Sequence, residues 1–163
     1  VELSLPENTN DDEINRITSL FQLHYKSNMQ NKTRPYDGVM ELLAYLKSKH
    51  YKTAIVSNKF DAAVKGLSSK YFSNLIDLAI GETAEIRRKP APDSIYKVIT
   101  ELNSDLSKTV LVGDSETDIL TAKNAGISCI AVSWGFRSRE ILEANGSDYI
   151  IDTAQELLAL LKE

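Results

Sequence analysis

Two aspartates four residues apart, Asp114 and Asp118, follow an apolar run and a glycine in Val112-Gly113-Asp114-Ser115-Glu116-Thr117-Asp118. That spacing puts both carboxylates on one side of a starting helix, where they repel unless a cation lies near. Mg²⁺ suits such a pair, because it takes one or two carboxylates and completes its shell with water and phosphate oxygens. The same residues also fit a plainer arrangement, with Asp114 capping the helix and Asp118 exposed in its first turn. Lys89, in Arg87-Arg88-Lys89-Pro90-Ala91-Pro92-Asp93, is held between a basic run and two prolines that restrict the backbone before a helix near Asp93. An ammonium fixed in this way neutralises a transferring phosphoryl group; the alternative is a solvated basic run. Ser57 offers a hydroxyl near the expected start of a helix, and the Asn58 N–H adds to a field that favours an anion. Ser57 equally serves as an ordinary helix cap.

Other residues with chemical potential carry less. His24 and His50 lack carboxylate or cysteine neighbours at ligand spacing and are expected at the surface or in packing. Cys129 opens an apolar run and reads as a small buried hydrophobe. Trp134 and Phe136 are placed to rim a crevice, although core packing is the commoner use of aromatics.

The elements that position these groups alternate between short apolar runs and longer amphipathic ones, the pattern of βαβ units and a parallel sheet. Strands are expected at Thr53–Val56, Ile76–Ile80, Thr109–Val112, Cys129–Val132 and Tyr149–Ile151. Helices are expected at Asp61–Tyr71, Asp93–Leu102, Glu116–Asn124, Arg139–Ala144 and Ala154–Leu161, with Gly126 and Gly146 as left-handed caps. Ahead of them, Ile14, Ile17, Phe21 and Tyr25 recur at helical steps from Asp11 to about Asn31, with Asp11 or Asp12 as N-cap. After the linker Thr33 to Gly38, a second helix buries Val39, Leu42, Leu43 and Leu46 and ends near Lys47 and Lys49. In an open parallel sheet, ligands bind beyond the carboxyl ends of the strands. Ser57-Asn58-Lys59, Gly113-Asp114-Ser115 and Ser133-Trp134-Gly135 each follow a strand directly.

Composition removes whole classes. The 163 residues carry 19 Lys plus Arg against 23 Asp plus Glu, a net charge of −4, so there is no basic excess for counterion release from nucleic acid. The apolar runs fall far short of the ~20 residues that a membrane-spanning helix needs. A single cysteine forms no internal disulfide and suits a reducing cytoplasm. With 42 % apolar residues, the chain is long enough for a full core.

In this order and spacing, Ile55-Val56-Ser57-Asn58, Arg88-Lys89-Pro90-Ala91-Pro92-Asp93 and Val112-Gly113-Asp114-Ser115-Glu116-Thr117-Asp118 resemble the second, third and fourth motifs of haloacid dehalogenase-like phosphatases. Ala122-Lys123-Asn124-Ala125-Gly126 and Val132-Ser133-Trp134-Gly135-Phe136-Arg137-Ser138 look most like the phosphoglycolate phosphatase branch. Pro35-Tyr36-Asp37-Gly38-Val39 resembles that branch's return from an inserted helical cap. The resemblance implies an α/β fold: a Rossmann-like parallel sheet with helices on both faces, residues 35–163, preceded by part of a helical cap, residues 1–34. It implies that Ser57 and the backbone at Asn58 hydrogen-bond a phosphoryl group and that Lys89 neutralises it. Asp114 would ligate Mg²⁺, with Asp118 in the same acidic cluster, holding metal-bound water or Lys89. The expected substrate is a small phosphorylated metabolite, 2-phosphoglycolate before others, with pyrophosphate, a sugar-phosphate mutase reaction or an inactive ligand-binding module as alternatives.

One departure from the family is large. The Asp-x-Asp-x-Thr segment that supplies its nucleophile and general acid/base does not occur here, and Asp11-Asp12-Glu13 begins a helix without a preceding strand. In the family the missing strand lies between those expected at Thr53–Val56 and Thr109–Val112, so two inner edges would be bared. Val1 to Leu5 alternates polar and apolar residues, whereas a central parallel strand is apolar on both faces. The expectation is therefore a chain whose preceding residues carry that strand, the nucleophile and the start of the cap, and which is inactive alone.

Overall fold

The computed structural model describes residues 4–28, 31 and 33–162, which divide into two compact units at Arg34/Pro35. In the first unit, α1 spans Asp11–Asn28. Its N-cap is Asn10 rather than Asp11 or Asp12, because the Asn10 side chain accepts from the Glu13 N–H at 2.9 Å and leaves the acids to the first turn. Phe21 and Tyr25, four residues apart, stack with ring centroids 5.7 Å apart. The expected end of this helix, up to Asn31, runs into residues outside those described. So do Val1 to Leu3 of the weighed N-terminal strand, while Ser4 and Leu5 are a helical turn and a bend.

In the second unit the order is α2 (Val39–Ser48), β1 (Ala54–Phe60), α3 (Asp61–Tyr71), β2 (Leu78–Glu82), α4 (Asp93–Glu101), β3 (Val110–Gly113), α5 (Glu116–Ala125), β4 (Ser128–Val132), α6 (Arg139–Ala144), β5 (Tyr149–Ile151) and α7 (Ala154–Leu160). Every strand pair is parallel. Residues of β4 alternate between two cores, as the two-residue period of a strand requires. Cys129 and Ala131 join Leu111, Ile95 of α4, Ile119 and Ala122 of α5 and Leu142 of α6. Ile130 and Val132 face Leu42 of α2 and Leu157 and Leu158 of α7. Helices thus cover both faces of the sheet.

The sheet is split, however. β1 pairs with β2, and β3, β4 and β5 form a separate set. Among the described residues, β1 and β3 do not pair with each other. A groove of about 600 Å³ opens on one face and another of about 490 Å³ on the opposite face, and Ala54, Val56, Val110 and Leu111 line both. The seam therefore passes through the sheet, and it lies where the bared inner edges were expected.

Several strand boundaries differ from expectation, and two of them trace to contacts with residues distant in sequence. β1 runs on through Ser57, Asn58 and Lys59 to Phe60, with an irregular register between Val56 and Phe60. β2 starts at Leu78 because Asp77 belongs to a junction: its carboxylate accepts from the Thr53 N–H and hydroxyl and pairs with Lys47 at 2.7 Å.

Candidate active site

Ser57, Lys89, Asp114, Asp118, Trp134 and Gly135 all line the larger groove, at the carboxyl ends of β1 and β3. Each is brought there by a different device. Ser57 lies inside β1 and its hydroxyl accepts from the Lys59 N–H at 3.1 Å. It caps no helix, since α3 begins only at Asp61.

Lys89 separates from its basic neighbours. Arg87 and Arg88 are exposed and pair with Asp93 and Glu82, whereas the Lys89 side chain is only 14 % exposed. Its ammonium donates to Asp118 Oδ1 at 2.6 Å and to the Val56 carbonyl at 3.3 Å, leaving one of its three donors for a ligand. The Asn58 side chain fixes the backbone beneath it: Oδ1 accepts from the Lys89 N–H at 2.7 Å and Nδ2 donates to the Lys89 carbonyl at 3.0 Å. The Asn58 side chain thus holds the Lys89 backbone, a contact beyond the backbone role that the sequence pointed to. Asn124, near the end of α5, adds a further tie by donating to the Pro90 carbonyl at 2.9 Å.

The two aspartates do different work. Ser115, and not Asp114, caps α5. Asp118 is only 6 % exposed, so it is no exposed first-turn acid. Its Oδ1 holds Lys89, and its Oδ2 accepts from the Ser115 hydroxyl at 2.7 Å and the Asp114 N–H at 3.2 Å. Both oxygens of this expected metal ligand are therefore committed within the protein. Asp114 keeps one oxygen open: Oδ2 accepts from the Phe136 N–H at 2.9 Å, while no described residue donates to Oδ1. Glycines permit both placements, since a Cβ on Gly113 would overlap the Asp118 side chain and one on Gly135 the Asp114 carboxylate.

Among the described residues, no three or more His, Cys, Asp or Glu side chains are grouped to hold a metal unaided. The groove is lined mostly by apolar side chains, with Ser57, Lys89, Asp114 and Asp118 as its charged and hydroxyl groups near the strand ends; one open carboxylate oxygen there does fit a cation that keeps most of its water and takes phosphate oxygens, as Mg²⁺ does. Cys129 offers no nucleophile: it is buried, and desolvation, followed by the charge of Asp118, pushes its thiol up to about 11. His24 and His50 are exposed, Trp134 packs beside Val132 and Leu157, and Phe136 stands 88 % exposed at the rim.

Sequence reasoning assigned no role to the amide of Asn58, to Asn124 or to the Phe136 N–H. Their partners lie 31, 34 and 22 residues away, so no local pattern announces them.

Comparison with known proteins identifies the family. The profile of the haloacid dehalogenase-like hydrolases matches residues 4–132. A phosphoglycolate phosphatase of Mesorhizobium japonicum is 35 % identical over 143 residues, 85 % of this chain and 61 % of that protein. Pyrophosphatase PpaX of Bacillus mycoides is 33 % identical over 127 residues, 77 % of this chain and 59 % of its own length. A crystal structure of a Lactobacillus delbrueckii subsp. bulgaricus protein assigned as a phosphoglycolate phosphatase superposes with a TM-score of 0.87 at 42 % identity, over 94 % of this chain and 64 % of that one. The chain thus spans about three fifths of the length of these relatives. No described helix is long and apolar enough to cross a membrane.

Proposed function

The chain belongs to the haloacid dehalogenase-like hydrolase family, and from that premise we propose that it is the larger part of a Mg²⁺-dependent phosphomonoester hydrolase. The observation that carries this reading is the convergence of a hydroxyl, a buried ammonium and a half-open carboxylate on one groove: Ser57, Lys89 and Asp114. Ser57 and the free donor of Lys89 bind the phosphoryl oxygens, and Lys89 offsets their charge in a water-poor setting where the interaction counts most. Asp118 and Asn58 hold Lys89 at that point. Asp114 would hold Mg²⁺ with its open carboxylate oxygen, and the ion would supply positive charge to offset that of the phosphate oxygens.

The attacking carboxylate comes from outside these residues, on a strand that fills the seam between β1 and β3. The through-going groove and the unpaired edges support this placement. Alone, the chain hydrolyses no phosphomonoester. Residues 1–34 are the remaining piece of a helical cap that, with its missing part, excludes water during transfer. The substrate is a small phosphorylated metabolite in the cytoplasm, with 2-phosphoglycolate first, in line with the phosphoglycolate phosphatases among its relatives. Pyrophosphate is the second reading, favoured by the pyrophosphatase relative.

Intact mass of the polypeptide isolated from its own cells tests the strand: a mass several kilodaltons above that of the 163 residues is expected. If that longer protein turns over neither 2-phosphoglycolate nor pyrophosphate with Mg²⁺, the hydrolase reading is lost.

A further inference from the structure

We propose that Glu116 and Arg137 form a clamp that sets the orientation of Asp114, and so act as positioning residues for the cation. The loop after β4 must lie tightly on Asp114, because Gly135 has no room for a Cβ there and the Phe136 N–H bonds Oδ2. Before Gly135 the loop is anchored by the Ser133 hydroxyl on Asp152 and by Trp134 in the core, but neither reaches past the glycine. The Phe136 ring is 88 % exposed and contributes no buried anchor. One residue further on, the Arg137 guanidinium closes on the first residue of α5, with Nε to Glu116 Oε2 at 2.7 Å and Nη2 to Oε1 at 2.6 Å.

Most exposed ion pairs stabilise little, but a two-point guanidinium–carboxylate pair fixes direction as well as distance. This pair ties the loop to the same helix start that carries Asp114. The Phe136 N–H is then aimed at one carboxylate oxygen, and the other is left for a ligand. Glu116 is thus more than a solvated first-turn acid, and Arg137 more than a surface cation.

The inference rests on Asp114 being the cation ligand, and the two can fail separately. In the isotope-labelled chain, Glu116→Gln and Arg137→Ala should each speed amide exchange at Phe136 by about tenfold, a loss of hydrogen-bond size. Exchange at buried Ala131 should not change. Mg²⁺ titrated alone should bind several-fold more weakly, and the double variant Glu116→Arg with Arg137→Glu should recover both properties. Unchanged Phe136 exchange in both single variants overturns the clamp, as does equal acceleration at Ala131. Asp114→Asn is the separate control: if it leaves Mg²⁺ binding intact, the metal reading fails while Phe136 exchange still decides the clamp.

Discussion

β3 and β4 are adjacent strands of similar apolar composition, yet they live in different surroundings. β4 is paired on both edges, and its Cys129, Ala131 and Val132 are 2 %, 0 % and 6 % exposed. β3 is paired on one edge, and Val110 and Val112 are 47 % and 43 % exposed. Apolar residues on both faces of a strand are the mark of the middle of a parallel sheet, so β3 has the composition of an inner strand and the exposure of an edge. β1, across the seam, shows the same condition, with all seven residues only half-buried. The difference teaches that, among the described residues, strand edges are satisfied away from the candidate site and open beside it.

The comparison is broken most severely at the bridge across the seam. Lys89 rests on the β1 carbonyl of Val56 and reaches Asp118 on α5, with both side chains nearly buried. Lys89→Ala strands a buried carboxylate and should cost about 3–5 kcal/mol in denaturant unfolding. Replacing both partners by apolar residues, Lys89→Met with Asp118→Leu, should cost less. Away from the seam, Leu142 is fully buried in the core that includes Cys129 and Ala131. Leu142→Ala should lose about 2–5 kcal/mol.

Asn58→Ala removes two hydrogen bonds to the Lys89 backbone and should cost about 1–3 kcal/mol. In a complete enzyme, its signature is a loss of turnover larger than the loss of stability. Asp61 joins β2 to the start of α3. The Gly81 N–H and then the Lys65 ammonium hold its carboxyl below the usual range. Its stabilisation is therefore complete above the ordinary carboxylate pKa of about 4 and disappears as pH falls through the lowered value. Asp61→Asn should cost about 1 kcal/mol at neutral pH and flatten that acid limb in pH-dependent unfolding. The smallest effect belongs to the open edge: Val110→Thr should change stability by less than about 0.5 kcal/mol in this chain. The same substitution should become costly once a strand occupies the seam.

Most elements were legible because apolar period and cap chemistry are local. Asp61–Tyr71, Arg139–Ala144 and Tyr149–Ile151 fall where the pattern places them, and Gly126 takes the left-handed cap conformation. Boundaries slipped where a distant partner decided them: Asp77 is taken by Thr53 and Lys47, and the polar end of β1 stays extended with Asn58 bonded to Lys89. Within the site, the motif order located Ser57, Lys89, Asp114 and Asp118 at one groove. It did not separate the committed oxygens of Asp118 from the open one of Asp114, because hydrogen bonds from Lys89, Ser115 and Phe136 make that distinction.

Steady-state hydrolysis of 2-phosphoglycolate with Mg²⁺ tests the half-site most directly. The chain is measured alone, then joined to the segment of the Lactobacillus relative that it does not match, then joined and carrying Asp114→Asn. The expected result is no turnover alone, turnover when joined, and its loss with Asp114→Asn. Turnover by the chain alone, or turnover by the joined protein that survives Asp114→Asn, would contradict it.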